Sequence, residues 1–162
     1  MVNYIRSLNH LAKIPNRNYK PHVLFVDFKA AYDTVDRNIL YEKLRRKNIL
    51  NEREIQLLKF LHDNMKIQIG EITVNSSRGV PQGMISSPML FNIYSEEILD
   101  ELCTENVFVR MYADDLLVIV EGSRNLTVVA EKLSSIVERL KLKINPKKSG
   151  VMICGYKPKE YE

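Results

Sequence analysis

The sequence predicts an α+β fold, an antiparallel sheet with helices packed on one face. Three observations predict it. Short apolar runs of strand type, such as "HVLFVDF" at residues 22–28, mix with segments of helical periodicity without a regular β-α-β alternation. Hairpin signals recur, one around Gly70 and one around Ala113–Asp115. Leu126, Val129, Ala130, Leu133, Ile136, Val137 and Leu140 fall at helical spacing and make the clearest amphipathic helix in the chain.

The elements follow in order. Residues 1–21 are mixed and end in the loop-like "PNRNYKP". The strand at 22–28 leads into "TVDRNILYEKLRRKNIL", where Val35, Ile39, Leu40 and Leu44 keep helical spacing. Asp33 and Asp36 lie at the start of that helix, where carboxylates cap amides and favour the dipole. Asn51 with Glu54 three residues on is a capping-box pattern, opening a helix through Leu61. "KIQIGEITVN" reads as a hairpin. Ser87 as a cap and Pro88 in a first turn open the next helix. Two strands surround Ala113–Asp115, and "KLKI" and "GVMICG" are expected to close the sheet around "NPKKS".

With 162 residues the chain is long enough for a domain with a real core. Its net charge of +4 is compatible with a polyanionic partner but does not by itself require one. Cys103 and Cys154 form no CxxC pair, and His10, His22 and His62 are scattered, which argues against structural zinc and for two buried thiols in a reducing compartment. No apolar run approaches a membrane span, and residues 1–15 are too polar for a signal peptide. An intracellular protein, nuclear or cytoplasmic and without membrane partners, is expected; an organelle is also compatible.

Chemistry concentrates in "VRMYADDLLVIV" at 109–120. Asp114 and Asp115 interrupt a strand-forming run, where adjacent carboxylates repel and are costly to bury. Asp27 is the only acidic residue of the first apolar strand. If the two strands are neighbours, Asp27 and Asp114 converge, and converging carboxylates suit a hard divalent cation, above all Mg²⁺. Taken alone, these residues are read equally well as turn and strand-end charges.

The order of further motifs separates the two readings. "FVDFKAAYDTVD" (25–36), "RGVPQGMISSPMLFNIY" (78–94), "YADD" (112–115) and "LKINPKKS" (142–149) together resemble palm motifs A to D of reverse transcriptases. The resemblance is nearest to the non-LTR, LINE-like retrotransposon enzymes, with group II intron and retron enzymes as relatives, and covers roughly residues 22–155. It implies a polymerase palm: RNA-directed DNA synthesis from an RNA template, a DNA primer and deoxynucleoside triphosphates, with two Mg²⁺ ions that Mn²⁺ can replace. By position, the resemblance makes Asp27 and Asp114 metal ligands, Asp115 a less directly bound third carboxylate, and Phe28 the donor of a backbone carbonyl near the metal. Tyr32 matches the aromatic gate under the incoming sugar; a core aromatic at a strand-to-helix junction reads the same way. Gln82 and Gly83 match the nucleotide-contacting turn, although Pro81 and Gly83 also make an ordinary turn. Tyr112 is expected under the primer terminus. Arg78 could reach phosphate or simply be solvated. Lys148 matches the lysine proposed to protonate the leaving pyrophosphate, but it sits in a basic stretch with Lys141, Lys143 and Lys147, and most lysines in such stretches are simply solvated.

The expected organisation is a remnant or fingers edge at 1–21, the palm at 22–156 and a tail at 157–162. Full fingers and a thumb are not expected in so short a chain, so missing segments or other subunits are expected partners. The alternative is an inactive, domesticated domain acting as a scaffold or RNA-binding subunit. An RNA-dependent RNA polymerase palm is disfavoured by the bulky Tyr32 and by Ala113, where such viral enzymes usually carry glycine.

Overall fold

A computed structural model describes residues 21–153, and of residues 67–69 and 72–74 the backbone. The expectations for residues 1–20, for Cys154 and for the tail lie outside the described residues. The described chain forms two compact units: residues 21–28, 97–137 and 144–153, and residues 29–96 and 138–143.

The first unit is built on a four-stranded antiparallel sheet: β1 (Pro21–Asp27), β4 (Val107–Tyr112), β5 (Asp115–Glu121) and β6 (Gly150–Ile153), in the order β4-β5-β1-β6. Alternation along β5 sets its faces. Leu116, Val118 and Val120 are buried, opposite Val26, Leu24 and His22 of β1, whereas Asp115 and Glu121 at the strand ends are exposed. Val129, Leu133, Ile136 and Val137 of the final helix (α5, Ser123–Arg139) are also buried, as the amphipathic pattern predicts. Burying each such side chain stabilises by about 1.5–3 kcal/mol.

The "KLKI" strand does not form. The segment reduces to one bridge, Phe28 to Ile144, because Asn145 turns the chain immediately afterwards. Cys103 is half-buried rather than buried, and is a free thiol. Among the described residues no helix is long and apolar enough to cross a membrane.

The second unit holds α1 (Ala31–Thr34), α2 (Arg37–Arg46), α3 (Glu52–Asp63) and the hairpin β2 (Lys66–Ile69) with β3 (Ile72–Asn75), whose turn starts at Gly70. Helix α4 (Ser87–Leu102) contributes residues to both units. Val35 is fully buried but lies between α1 and α2, since Asp36 adopts an extended backbone to cap α2, its carboxylate accepting from the amides of Asn38 and Ile39. Burial works upward on the Asp36 carboxyl, but hydrogen bonds from Lys141 and those two amides bring it below its ordinary range. Asp33 does not cap; it accepts from Gln82 Nε2. The capping box at Asn51 and Glu54 forms as expected. Ser87 is the first residue of α4 and not its cap: its buried hydroxyl donates to the carbonyl of Pro81. Pro88 follows in the first turn, where a missing amide proton costs nothing.

Two buried polar groups tie this unit together. The Arg37 guanidinium donates to the carbonyls of Ser76 (2.7 Å), Gly79 (2.8 Å) and Arg78 (3.2 Å). Tyr41 and His62 share a hydrogen bond of 2.7 Å between Oη and Nδ1. Burial pushes Tyr41 up to about 12 and His62 down to about 4, so both groups are neutral at pH 7.

Candidate metal centre

The site lies where β1 ends and β5 begins. Both are central strands, and their register sets Asp27 directly opposite Asp115, with Val26 opposite Leu116 and Phe25 opposite Leu117. Directly opposed residues share a face, with Cβ atoms about 5 Å apart, so two carboxylates stand together on the face away from buried Leu116 and Val118. Asp114 is half-buried in the two-residue turn joining β4 to β5. Ala113 takes a φ of +52° there, a left-handed conformation that costs a non-glycine residue about 1–2 kcal/mol. The sequence reading made Asp114 the direct partner of Asp27; the register gives Asp27 the neighbour Asp115 and leaves Asp114 at the tip.

A concavity of about 770 Å³ opens on this face, lined among others by Phe25, Asp27, Arg110, Tyr112, Asp115 and Lys148. Tyr112, 85% exposed, stands at its edge. Lys148 Nζ is 3.7 Å from Asp27 Oδ1, and Asn145 Nδ2 donates to Asp27 Oδ2 at 2.9 Å. Phe28 is buried in the core, and its backbone bridges Ile144.

Among the described residues, no three His, Cys, Asp or Glu side chains are grouped to cage a metal. The donors that are present fit one chemistry well. Mg²⁺ keeps several waters and uses one or two protein carboxylates plus substrate phosphates rather than a complete protein cage. An ammonium already stands beside Asp27 Oδ1 as a cation in that position.

The remaining predicted site residues belong to the second unit. Tyr32 is half-buried and stacks on Phe91, ring centroids 4.9 Å apart. Motif B is laced to the residues after motif A's strand: Val80 N–H donates to Tyr32 O (2.9 Å), Gly79 N–H to Val35 O (2.8 Å), and Gln82 Nε2 to the Asp33 carboxylate (3.2 Å). Gly83 is exposed with φ +89°. Exposed Arg78 donates to the Thr34 carbonyl at 2.9 Å. Sequence reasoning missed two residues here. Arg37 carries the motif A to motif B connection, yet reads in sequence as an ordinary first-turn residue. Asn145 holds Asp27, yet reads as part of a turn.

The sequence profile of the reverse transcriptase (RNA-dependent DNA polymerase) family matches residues 2–161. The 115 kDa protein of the type-1 retrotransposable element R1DM from Drosophila melanogaster is 36% identical over 121 residues, 70% of this chain and 11% of that protein. The retrovirus-related Pol polyprotein of the type-1 retrotransposable element R2 from Nasonia vitripennis is 24% identical over 140 residues, 78% of this chain and 14% of that protein. The chain thus spans a small part of these relatives. Among solved structures, telomerase from Candida tropicalis bound to a TWJ fragment of telomeric RNA superposes with a TM-score of 0.74 at 15% identity, over 94% of this chain and 29% of that one. Telomerase from Candida albicans, in the same kind of complex, gives 0.67 at 15%, over 96% and 30%. At such identity these two likenesses speak for the fold alone, whereas the profile match spans almost the whole sequence: the chain belongs to the reverse transcriptase (RNA-dependent DNA polymerase) family.

Proposed function

We propose that this chain is the palm of an RNA-directed DNA polymerase, transferring a nucleotidyl group from a deoxynucleoside triphosphate to a primer 3′-hydroxyl on an RNA template. The observation that carries the reading is the carboxylate set at the ends of two paired central strands: Asp27 opposite Asp115, with Asp114 in the adjoining turn. Asp27, Asp114 and the Phe28 carbonyl would hold two Mg²⁺ or Mn²⁺ ions, and Asp115 would add negative charge beside them. Bound divalent cations would supply charge stabilisation to the phosphates and make the 3′-hydroxyl more acidic. Tyr112, exposed at the concavity's edge, supports the primer terminus. Lys148 is a mobile ammonium suited to protonating the leaving pyrophosphate. Gln82 and Gly83 contact the nucleotide, and Arg78 the nucleic-acid backbone.

Tyr32 is assigned as the gate against a 2′-hydroxyl. Its stacking on Phe91 supports that role, because a ring held on one face cannot yield to an extra oxygen. Primer extension on an RNA template tests both proposals together. Mg²⁺-dependent dNTP incorporation is expected, and Tyr32→Val should raise ribonucleotide use relative to deoxyribonucleotide use by roughly 100-fold. Unchanged discrimination with full activity removes Tyr32 from this role.

Further protein segments or subunits are proposed partners. Leu57 (59% exposed), Phe60 (63%) and Leu61 (46%) make an apolar stripe on α3 of the kind that marks protein docking. An intracellular location is part of the same reading.

A further inference from the structure

One five-residue loop, Asn145 to Ser149, holds Asp27 at its backbone and at both carboxylate oxygens. The Asp27 amide donates to Ser149 Oγ (3.1 Å), and its carbonyl accepts from the Asn145 amide (2.8 Å). Its Oδ2 accepts from Asn145 Nδ2 (2.9 Å), and its Oδ1 faces Lys148 Nζ (3.7 Å). The loop is itself closed by local bonds. Asn145 Oδ1 accepts from Lys147 N–H (3.3 Å), and Asn145 O accepts from the amides of Lys148 (3.1 Å) and Ser149 (3.0 Å). These bonds settle which way the Asn145 amide points. Turned over, it would set an oxygen against Asp27 Oδ2 and an NH₂ against the Lys147 amide.

We propose that Asn145 is a positioning residue that fixes the rotamer of the Asp27 carboxylate, and that Lys148 is a resident cation that gives up Oδ1 when a divalent metal is held there. The inference rests on the metal reading above and goes beyond it in assigning roles within the loop. Asn145 occupies Oδ2 from a backbone-anchored turn, so Oδ1 is the oxygen presented to an incoming cation. Hydrogen-bond partners that orient a ligating carboxylate are part of a metal site's affinity. Lys148 is 70% exposed on a flexible stem and can withdraw without disturbing the loop. The ammonium so displaced remains at the concavity it lines.

The two residues therefore act in opposite directions on one equilibrium. Asn145 favours the metal by preorganising its ligand; Lys148 opposes it by competing for the same oxygen. A loop that only braces the fold would give both substitutions the same sign.

The test is Mn²⁺ titration of the 162-residue chain, with free Mn²⁺ followed by electron paramagnetic resonance, beside a thermal melt of each variant. Asn145→Ser keeps an oxygen that accepts from the amide two residues on, but is too short to reach Asp27. It is expected to weaken Mn²⁺ about tenfold or more. Lys148→Ala is expected to tighten Mn²⁺ by roughly two- to fivefold, the range of an exposed ion pair. Unchanged affinity in Asn145→Ser, or unchanged or weaker affinity in Lys148→Ala, overturns the proposal. Should Asn145→Ser lose its cooperative melt, the Lys148→Ala arm decides alone. Asp27→Ala distinguishes the two levels: if it binds Mn²⁺ as tightly as the unsubstituted chain, the metal reading itself fails.

Discussion

Asp27→Ala is expected to lower primer extension by at least about 10³-fold, because losing a metal-binding carboxylate removes several kcal/mol of transition-state stabilisation. The fold should survive. Asp27 ends its strand, its side chain is only 20% exposed but faces the concavity, and its removal relieves repulsion from Asp115 directly opposite. Activity loss without loss of the thermal transition is thus the expected signature. Asp115→Ala should cost less, since that carboxylate supports rather than holds the metals in the proposed arrangement. Activity retained in Asp27→Ala would remove the metal centre from the account.

The largest expected effect on stability lies elsewhere. Gly79→Ala should destabilise the chain by about 3–5 kcal/mol, combining left-handed backbone strain with overpacking. Gly79 has φ +84°, and a Cβ there would stand 2.8 Å from Asp33 Cα, 2.8 Å from Asp33 O and 2.9 Å from Tyr32 O. Those atoms are backbone and cannot swing aside. Gly83→Ala is the matched control: its φ is +89° but a Cβ would meet nothing within 4 Å, so it should cost only about 1 kcal/mol of strain. Urea unfolding of the two variants reads the difference. Equal, small shifts in midpoint would mean that motif B does not press on the motif A backbone as described.

What was legible in the sequence was local. The cap at Asp36, the capping box at Asn51 and Glu54, the Gly70 hairpin and the α5 stripe each depend on residues a few positions apart, so spacing alone predicts them. Asp27, Asp114 and Asp115 could be singled out as candidates because four motifs occur in order around them. Register was not. Whether Asp114 or Asp115 faces Asp27 depends on how strands 88 residues apart pair (115 − 27), and side chains of neighbouring positions point to opposite faces. Arg37 and Asn145 were missed for the same reason: their partners at 76–79 and 27 are distant in the chain, and arginine after aspartate or asparagine before proline looks like a helix start or a turn. Val35 and "KLKI" went wrong through the reverse error. Their apolar spacing is real and their burial follows it, but a cap at Asp36 and a turn at Asn145 override the periodicity locally.

Divalent-cation binding by Asp27 and Asp114, where β1 ends and the turn into β5 begins, is the core of the proposed mechanism. A crystal of this chain soaked in Mn²⁺ and measured at the manganese absorption edge tests it most directly. An anomalous peak is expected within coordination distance, about 2.0–2.3 Å, of an Asp27 oxygen and of a carboxylate from Asp114 or Asp115, with Lys148 Nζ drawn away from Asp27 Oδ1. Mn²⁺ bound only elsewhere, with the Lys148–Asp27 pair intact, would contradict it.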